Sequence, residues 1–73
     1  MILPDKTIRL RNSILGTGAL LLERMDPEET VSSLWDKVRE NPEMTSFDLY
    51  VLSLDFLFSL GLVSFSDGMV RRY

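Results

Sequence analysis

The segment from Thr45 to Gly61 constrains the fold most, because it is a predicted helix that is apolar nearly all the way round. A hydroxyl residue at Thr45 with an acid at Asp48, three residues later, is typical of a helix N-terminus, and Gly61 is a typical C-terminal cap. The apolar side chains form two stripes, one of Phe47, Tyr50, Val51, Leu54 and Phe58 and one of Leu49, Leu52, Phe56 and Leu60. A chain of 73 residues has a small core. We therefore expect part of this surface to stay exposed and to mark a protein–protein interface.

Two more helices are predicted before this segment. The first starts near Asn12 or Ser13, both good N-caps, and ends at Asp26-Pro27. The second is capped by Thr30 and stops at Asn41-Pro42. Their predicted buried stripes are Leu15, Ala19, Leu22 and Met25 in the first helix, and Val31, Leu34, Trp35 and Val38 in the second.

The two ends of the chain are predicted to be extended. Residues 1–11 form an arm, since Pro4 disfavours helix before it and Ile8 and Leu10 alternate with arginines. Residues 62–73 form a β-hairpin, because Asp67-Gly68 is a hairpin-turn signal between two β-prone runs.

Three helices followed by a two-stranded ribbon is the element order of a winged helix. We therefore predict a mainly α protein with a small β-hairpin, winged-helix-like, forming a single domain over residues 1–73. It divides into an arm (1–11), a three-helix core (12–61) and a wing (62–73). Gly16 and Gly18 weaken the first helix but permit another helix to approach closely.

The side chains for most catalytic chemistry are missing. There is no histidine and no cysteine, which removes the commonest general base, the thiol nucleophile and nearly all zinc sites. Glu28 and Glu29 are interpreted as solvated charges, Asp48 as a helix-capping residue, and Asp55 as a carboxylate that water solvates at the surface. An enzyme that uses Asp48 and Asp55 is the weaker alternative. We expect no enzymatic activity, no cofactor, no metal and no small-molecule ligand.

Charge argues against direct DNA recognition. The chain has 8 Lys plus Arg against 11 Asp plus Glu, a formal net charge of −3, and the third helix lacks any basic residue to meet phosphates or bases. The alternative function is a small winged-helix DNA-binding regulator or an accessory DNA-contacting subunit. Its candidate contacts are Arg9, Arg11, Arg71 and Arg72, if the arm lies beside the wing.

No apolar run is long enough to span a membrane, so we expect a cytoplasmic protein without membrane contact.

Aromatic residues and methionine, which are enriched at protein interfaces, supply further candidates. The candidate interface residues are Trp35, Leu49, Tyr50, Leu52, Phe56, Phe65, Met69 and Tyr73. Trp35 lies on the regular stripe of the second helix, which favours a place in the core for it.

Several motifs resemble a known family. They are Met1 to Lys6, Thr30 to Trp35, Thr45 to Asp48, Leu54 to Gly61, and Asp67-Gly68 followed by Arg71-Arg72. Together they are similar to the small middle components of bacterial ABC-three-component systems, with an extra Ser46 and a glycine-rich first helix as departures. The resemblance covers almost the whole chain.

This resemblance implies a role and partners. Such systems contain an SMC/Rad50-like ATPase, an effector that is often a toxic enzyme, and a middle component, and they are similar to the Lamassu type of anti-phage defence. The resemblance thus implies an adaptor that links the ATPase to the effector in a hetero-oligomer. The residues themselves indicate a protein binder without catalytic groups.

Overall fold

The first helix is longer than its sequence signals predicted. In the computed structural model, which describes residues 5–73 and their side chains from Ile8 onward, α1 spans Asp5–Arg24. The predicted extended arm is therefore wrong over residues 5–11, while Met1 to Pro4 lie outside the described residues. An alternation of only four residues fits a helix as well as a strand, and Leu10 continues the helical stripe of Ile14, Thr17 and Leu21.

The buried face of α1 also differs from the predicted stripe. Thr17, Gly18, Leu20 and Leu21 are buried, as is Met25 directly after the helix, whereas Leu15 and Ala19, which were predicted to be buried, are exposed. The face is rotated because α3 approaches α1 at Gly18, where an added Cβ would lie 3.4 Å from Leu57 Cδ2. α3 does pack against α1 at Gly18, through the side chains of Leu57 and Phe56, and a Cβ at this position would meet them at ordinary van der Waals distance. Nothing lies within 4 Å of such a Cβ at Gly16.

A short strand, β1 (Glu28–Thr30), and the second helix, α2 (Val31–Val38), follow. The predicted cap of α2 is confirmed, since the Ser33 amide donates to Thr30 Oγ1 at 3.0 Å. The strand was missed because it is polar and only three residues long, and because its partner strand is at the other end of the sequence.

The third helix, α3, spans Phe47–Ser59. Its N-cap is Ser46, whose hydroxyl accepts from the Leu49 amide at 3.0 Å, and not Thr45 as predicted. Its end agrees with the prediction, because Gly61 has φ 75°. The Leu62 amide donates to the Leu57 carbonyl at 3.0 Å, the bonding of a Schellman motif.

The C-terminal hairpin is confirmed. Strands β2 (Val63–Ser66) and β3 (Met69–Arg72) pair antiparallel, and β1 pairs with the other edge of β3 to give the order β1-β3-β2. Asp67 and Gly68 both have positive φ, 52° and 75°, as a type I′ turn requires. Three helices with this small antiparallel sheet form the winged-helix-like arrangement that the sequence predicted.

The core lies where α1, α2, α3 and the sheet meet. Its fully buried members include Leu21, Leu34, Tyr50, Val63 and Val70. A buried hydrogen bond between the Thr17 and Ser53 hydroxyls joins α1 to α3. Over residues 5–73, no helix combines the length and the apolar character needed to cross a membrane.

Candidate functional site

Two of the predicted interface residues lie inside the core. Tyr50 is fully buried and Leu49 nearly so, because the inner face of α3 runs between the two predicted stripes and draws residues from both. The Tyr50 hydroxyl donates to the Val31 carbonyl at 2.6 Å, and burial raises the pKa of this phenol above its usual range. Both residues stabilise the domain and are not exposed contacts.

The other stripe residues border a groove between α1 and α3. We define the α1/α3 groove by Leu10, Ile14 and Leu15 of α1 and by Leu52 and Phe56 of α3. Ile14, Leu15 and Phe56, together with Arg11, line a cleft of about 220 Å³. Leu10 and Leu52 line a neighbouring cleft together with Asp48.

Three of these groove residues are large apolar side chains that the fold leaves exposed. Leu10 is 49% exposed, Leu15 55% and Leu52 43%, while Ile14 and Phe56 are half-buried. Full burial of one such side chain stabilises by roughly 1.5–3 kcal/mol. Leu52 and Phe56 were candidates from the sequence. Leu10 and Leu15 were missed, because Leu10 was assigned to an extended arm and Leu15 to the core.

The two walls of the groove carry opposite charge. The α1 wall contributes Arg11, which lines the first cleft. The α3 wall contributes Asp48, which lines the second cleft, and Asp55, which is exposed next to Phe56. α3 contains no basic residue. Within the described part of the chain, none of these three charges forms an ion pair.

A second apolar surface lies where α3 meets the hairpin. We call Phe58, Leu62, Phe65 and Tyr73 the wing patch. The rings of Phe58 and Phe65 are 5.2 Å apart, and the Tyr73 amide donates to the Leu62 carbonyl at 3.2 Å. All four side chains are exposed, Tyr73 by 81%. Phe65 and Tyr73 were predicted as contacts, whereas Phe58 was not, and the predicted contact Met69 is half-buried.

Trp35 belongs to an aromatic cluster between α2 and α3. Its ring lies 5.1 Å from both Phe47 and Tyr50. Trp35 is half-buried and packs against the core, which agrees with the core position that its stripe favoured. Phe47 is half-exposed at the edge of this cluster.

The four candidate DNA-contacting arginines are not brought together. Arg72 Nη1 donates to the Leu22 carbonyl at 3.0 Å, in the last turn of α1, and Arg71 pairs with Glu28 at 2.6 Å. Arg9 and Arg11 lie in the opposite half of the same helix. Eleven residues from Arg11 to Leu22 span about 16 Å. The condition for a single arginine patch, an arm beside the wing, is therefore not met, since residues 5–11 extend α1 away from the wing.

The acidic residues show one correction. Glu29, expected to be solvated, is buried and accepts from Lys37 Nζ at 3.0 Å and from the Asp26 amide at 2.6 Å. The hydrogen bonds to Glu29 and Asp26 raise the pKa of Lys37. The sequence gives little indication that Glu29, Lys37 and Asp26 lie together, because the strand β1 is what turns the Glu29 side chain inward. Among the described residues, no group of three or more acidic, histidine or cysteine side chains is placed to hold a metal ion.

The fold and its surfaces define a small winged-helix-like protein with an acidic third helix and two exposed apolar surfaces. The model of one family, described as ABC-three component (ABC-3C) system Middle Component 6, matches residues 3–72. The chain belongs to this family, which confirms the resemblance seen in its motifs and makes it a subunit of a multi-component system. Membership implies that it interacts with other components of that system. No curated protein and no solved structure matches the chain significantly.

Proposed function

We propose that this chain is a non-catalytic adaptor that links an SMC/Rad50-like ATPase to an effector in a bacterial anti-phage defence complex. The observation that carries the proposal is the presence of two apolar surfaces, the α1/α3 groove and the wing patch, on a domain that already has a closed core. Exposed apolar patches of this kind usually mark protein–protein interfaces.

The two surfaces are separate. On α3, Leu52 and Phe56 lie on one side and Phe58 on the other, and the exposed residues Asp48, Asp55 and Ser59 run between them at helical spacing. An adaptor must hold more than one protein at once, so it needs distinct contact surfaces. We assign the wing patch to a component of the system, while the groove gives the chain its second contact.

The side chains support a binding role over a catalytic one. With no histidine or cysteine in the sequence, a reaction would have to use carboxylates. Asp48 and Asp55 are exposed, where water solvates both carboxylates, and their positions on the α3 wall suit recognition of a charged partner.

The test is co-expression of this chain with the other components encoded beside it, followed by affinity capture through a tag on this chain. We expect the ATPase and the effector to be captured. A wing variant, Phe65→Glu with Tyr73→Glu, should reduce capture of at least one component by about tenfold or more, because a charge on an apolar contact forfeits its burial. Ser32→Glu adds a charge of the same sign on an exposed site of α2 and serves as the control.

Capture of both components at wild-type levels by the wing variant would remove the wing patch from the proposal. Capture of neither component by the wild-type chain would contradict the adaptor function itself. Circular dichroism of each variant shows whether the fold is retained.

A further inference from the structure

We propose that the α1/α3 groove binds a second copy of this chain, giving a two-fold dimer in which each α1 lies over the partner's α3. This goes beyond the adaptor function, because it names the occupant of one surface. Because the groove is then occupied, the two wing patches of the dimer, one on each copy, would hold the components that the adaptor links.

The first argument is that the groove is complementary to itself. One wall is apolar with a cation, Leu15 with Arg11, and the other is apolar with anions, Leu52 and Phe56 with Asp48 and Asp55. In an isologous interface, residue i of one copy contacts residue j of the other, and j contacts i. A two-fold axis along the groove therefore sets the cationic wall of each copy on the anionic wall of its partner.

The second argument concerns the position of each charged residue along the length of the groove. Ser13 of α1 shares a cleft with Thr45 and Asp48, while Gly18 contacts Phe56 and Leu57. Leu10, the residue before Arg11, lines the same cleft as Asp48, so the backbone of α1 at Arg11 lies near Asp48 along the groove. Rotation about an axis along the groove preserves the position of each residue along that axis, so Arg11 of one copy comes near Asp48 of the other.

The third argument is that these charges are uncommitted within the described residues. Arg39, Arg71 and Lys37 all have acidic partners in the domain, whereas Arg11, Asp48 and Asp55 have none there. Charges of opposite sign that meet across an interface fix its register and exclude wrong partners. Leu10, Leu15 and Leu52 supply the apolar contact between the charged walls.

The test is sedimentation velocity on the full chain over a range of concentrations that brackets the dimer dissociation constant. We expect the wild-type chain to shift from monomer mass to dimer mass. Leu15→Glu combined with Leu52→Glu should leave a folded monomer at every concentration, and Ser32→Glu, the exposed control on α2, should dimerise like the wild type.

Charge exchange tests the geometry directly. Arg11→Glu should raise the dissociation constant by about tenfold or more, and Asp48→Arg with Asp55→Arg should do the same, because like charges then face each other. An equimolar mixture of the two variants should dimerise like the wild type, since every facing pair in the mixed dimer is again of opposite sign.

Three outcomes would overturn the proposal: a wild-type chain that stays monomeric, a dimer insensitive to Leu15→Glu with Leu52→Glu, or a mixture that fails to recover. A monomer that still captures the ATPase and effector leaves the adaptor function standing. In that case, loss of capture with Leu15→Glu and Leu52→Glu would assign the groove to one of those components instead.

Discussion

α1 divides into an N-terminal half (residues 5–15) and a C-terminal half (residues 16–24), which belong to one continuous helix but have opposite surroundings. In the C-terminal half, Thr17, Leu20 and Leu21 are buried, and the sheet reaches this end of the helix through Arg72. In the N-terminal half, Ile8, Leu10 and Leu15 are each about half exposed. Apolar spacing in the sequence therefore predicts that a helix has an apolar face, but it does not predict whether the domain itself covers that face.

The largest expected effect comes from replacing one leucine in each half of α1 with alanine. Leu21 is fully buried and Leu15 is 55% exposed. Leu21→Ala should lower the free energy of unfolding by roughly 2–5 kcal/mol, through lost transfer energy and a cavity. Leu15→Ala should change it by about 0.5 kcal/mol or less in the monomer. Urea unfolding followed by circular dichroism, at a concentration where the chain is monomeric, measures both values.

Equal losses for Leu21→Ala and Leu15→Ala would break the comparison, because they would mean that the N-terminal half is packed as tightly as the C-terminal half. A larger loss for Leu15→Ala that grows with protein concentration would instead locate its contribution in the dimer.

A second contrast uses the two glycines of α1, one in the covered part and one outside it. Gly18→Leu forces a side chain against Leu57 and should cost roughly 1–3 kcal/mol of stability by overpacking. Gly16→Leu enters open space, so it should stabilise by up to about 1 kcal/mol through helix propensity. The midpoints of the two urea transitions should lie on opposite sides of the wild-type value.

If Gly16→Leu lowered the free energy of unfolding, another part of the domain would have to cover this side of α1, and the packing described for α1 and α3 would be wrong there. The two variants add the same side chain two residues apart, so each is the control for the other.

Sequence signals predicted those parts of the molecule that are determined locally. The Thr30 cap, the Gly61 end and the Asp67-Gly68 turn each depend on a few adjacent residues, and each was confirmed. The start of α1 and the strand β1 were missed, because both are decided by distant contacts: β1 exists through its pairing with β3. A change of cap from Thr45 to Ser46 is a one-residue choice between two good caps.

The candidate surfaces divide in the same way. Leu52 and Phe56, which line the groove, were candidates from the sequence, because an excess of apolar residues on α3 is visible there. Leu49 and Tyr50 were wrong as contacts, since the rotation of α3 is set by the Thr17–Ser53 hydrogen bond and by the packing against Gly18. Leu10 and Leu15 were missed because their exposure depends on how far the other elements of the domain extend along α1, which the local sequence does not determine.

The smallest expected effect compares a covered tyrosine with an uncovered one, through the pH dependence of stability. Burial raises the pKa of Tyr50 above its usual value of 10.0. Above about pH 10 the unfolded state therefore releases a proton that the folded state retains. The contribution of Tyr50 to stability is full below the unfolded pKa and is lost as pH rises toward the folded pKa.

Tyr50→Phe should accordingly flatten the alkaline fall in the free energy of unfolding between pH 8 and pH 11. At pH 8 the variant should be less stable by about 0.5–1.5 kcal/mol, because the Val31 carbonyl loses its hydrogen bond, and this deficit should shrink as pH rises. Tyr73→Phe, at an exposed position, should follow the wild-type curve. Lys37, whose pKa is also raised by Glu29, adds the same alkaline loss to all three proteins and cancels in the differences. If the Tyr50→Phe and wild-type curves ran parallel to pH 11, Tyr50 would be in contact with water, and the boundary between the covered and uncovered parts of α3 would have to be redrawn.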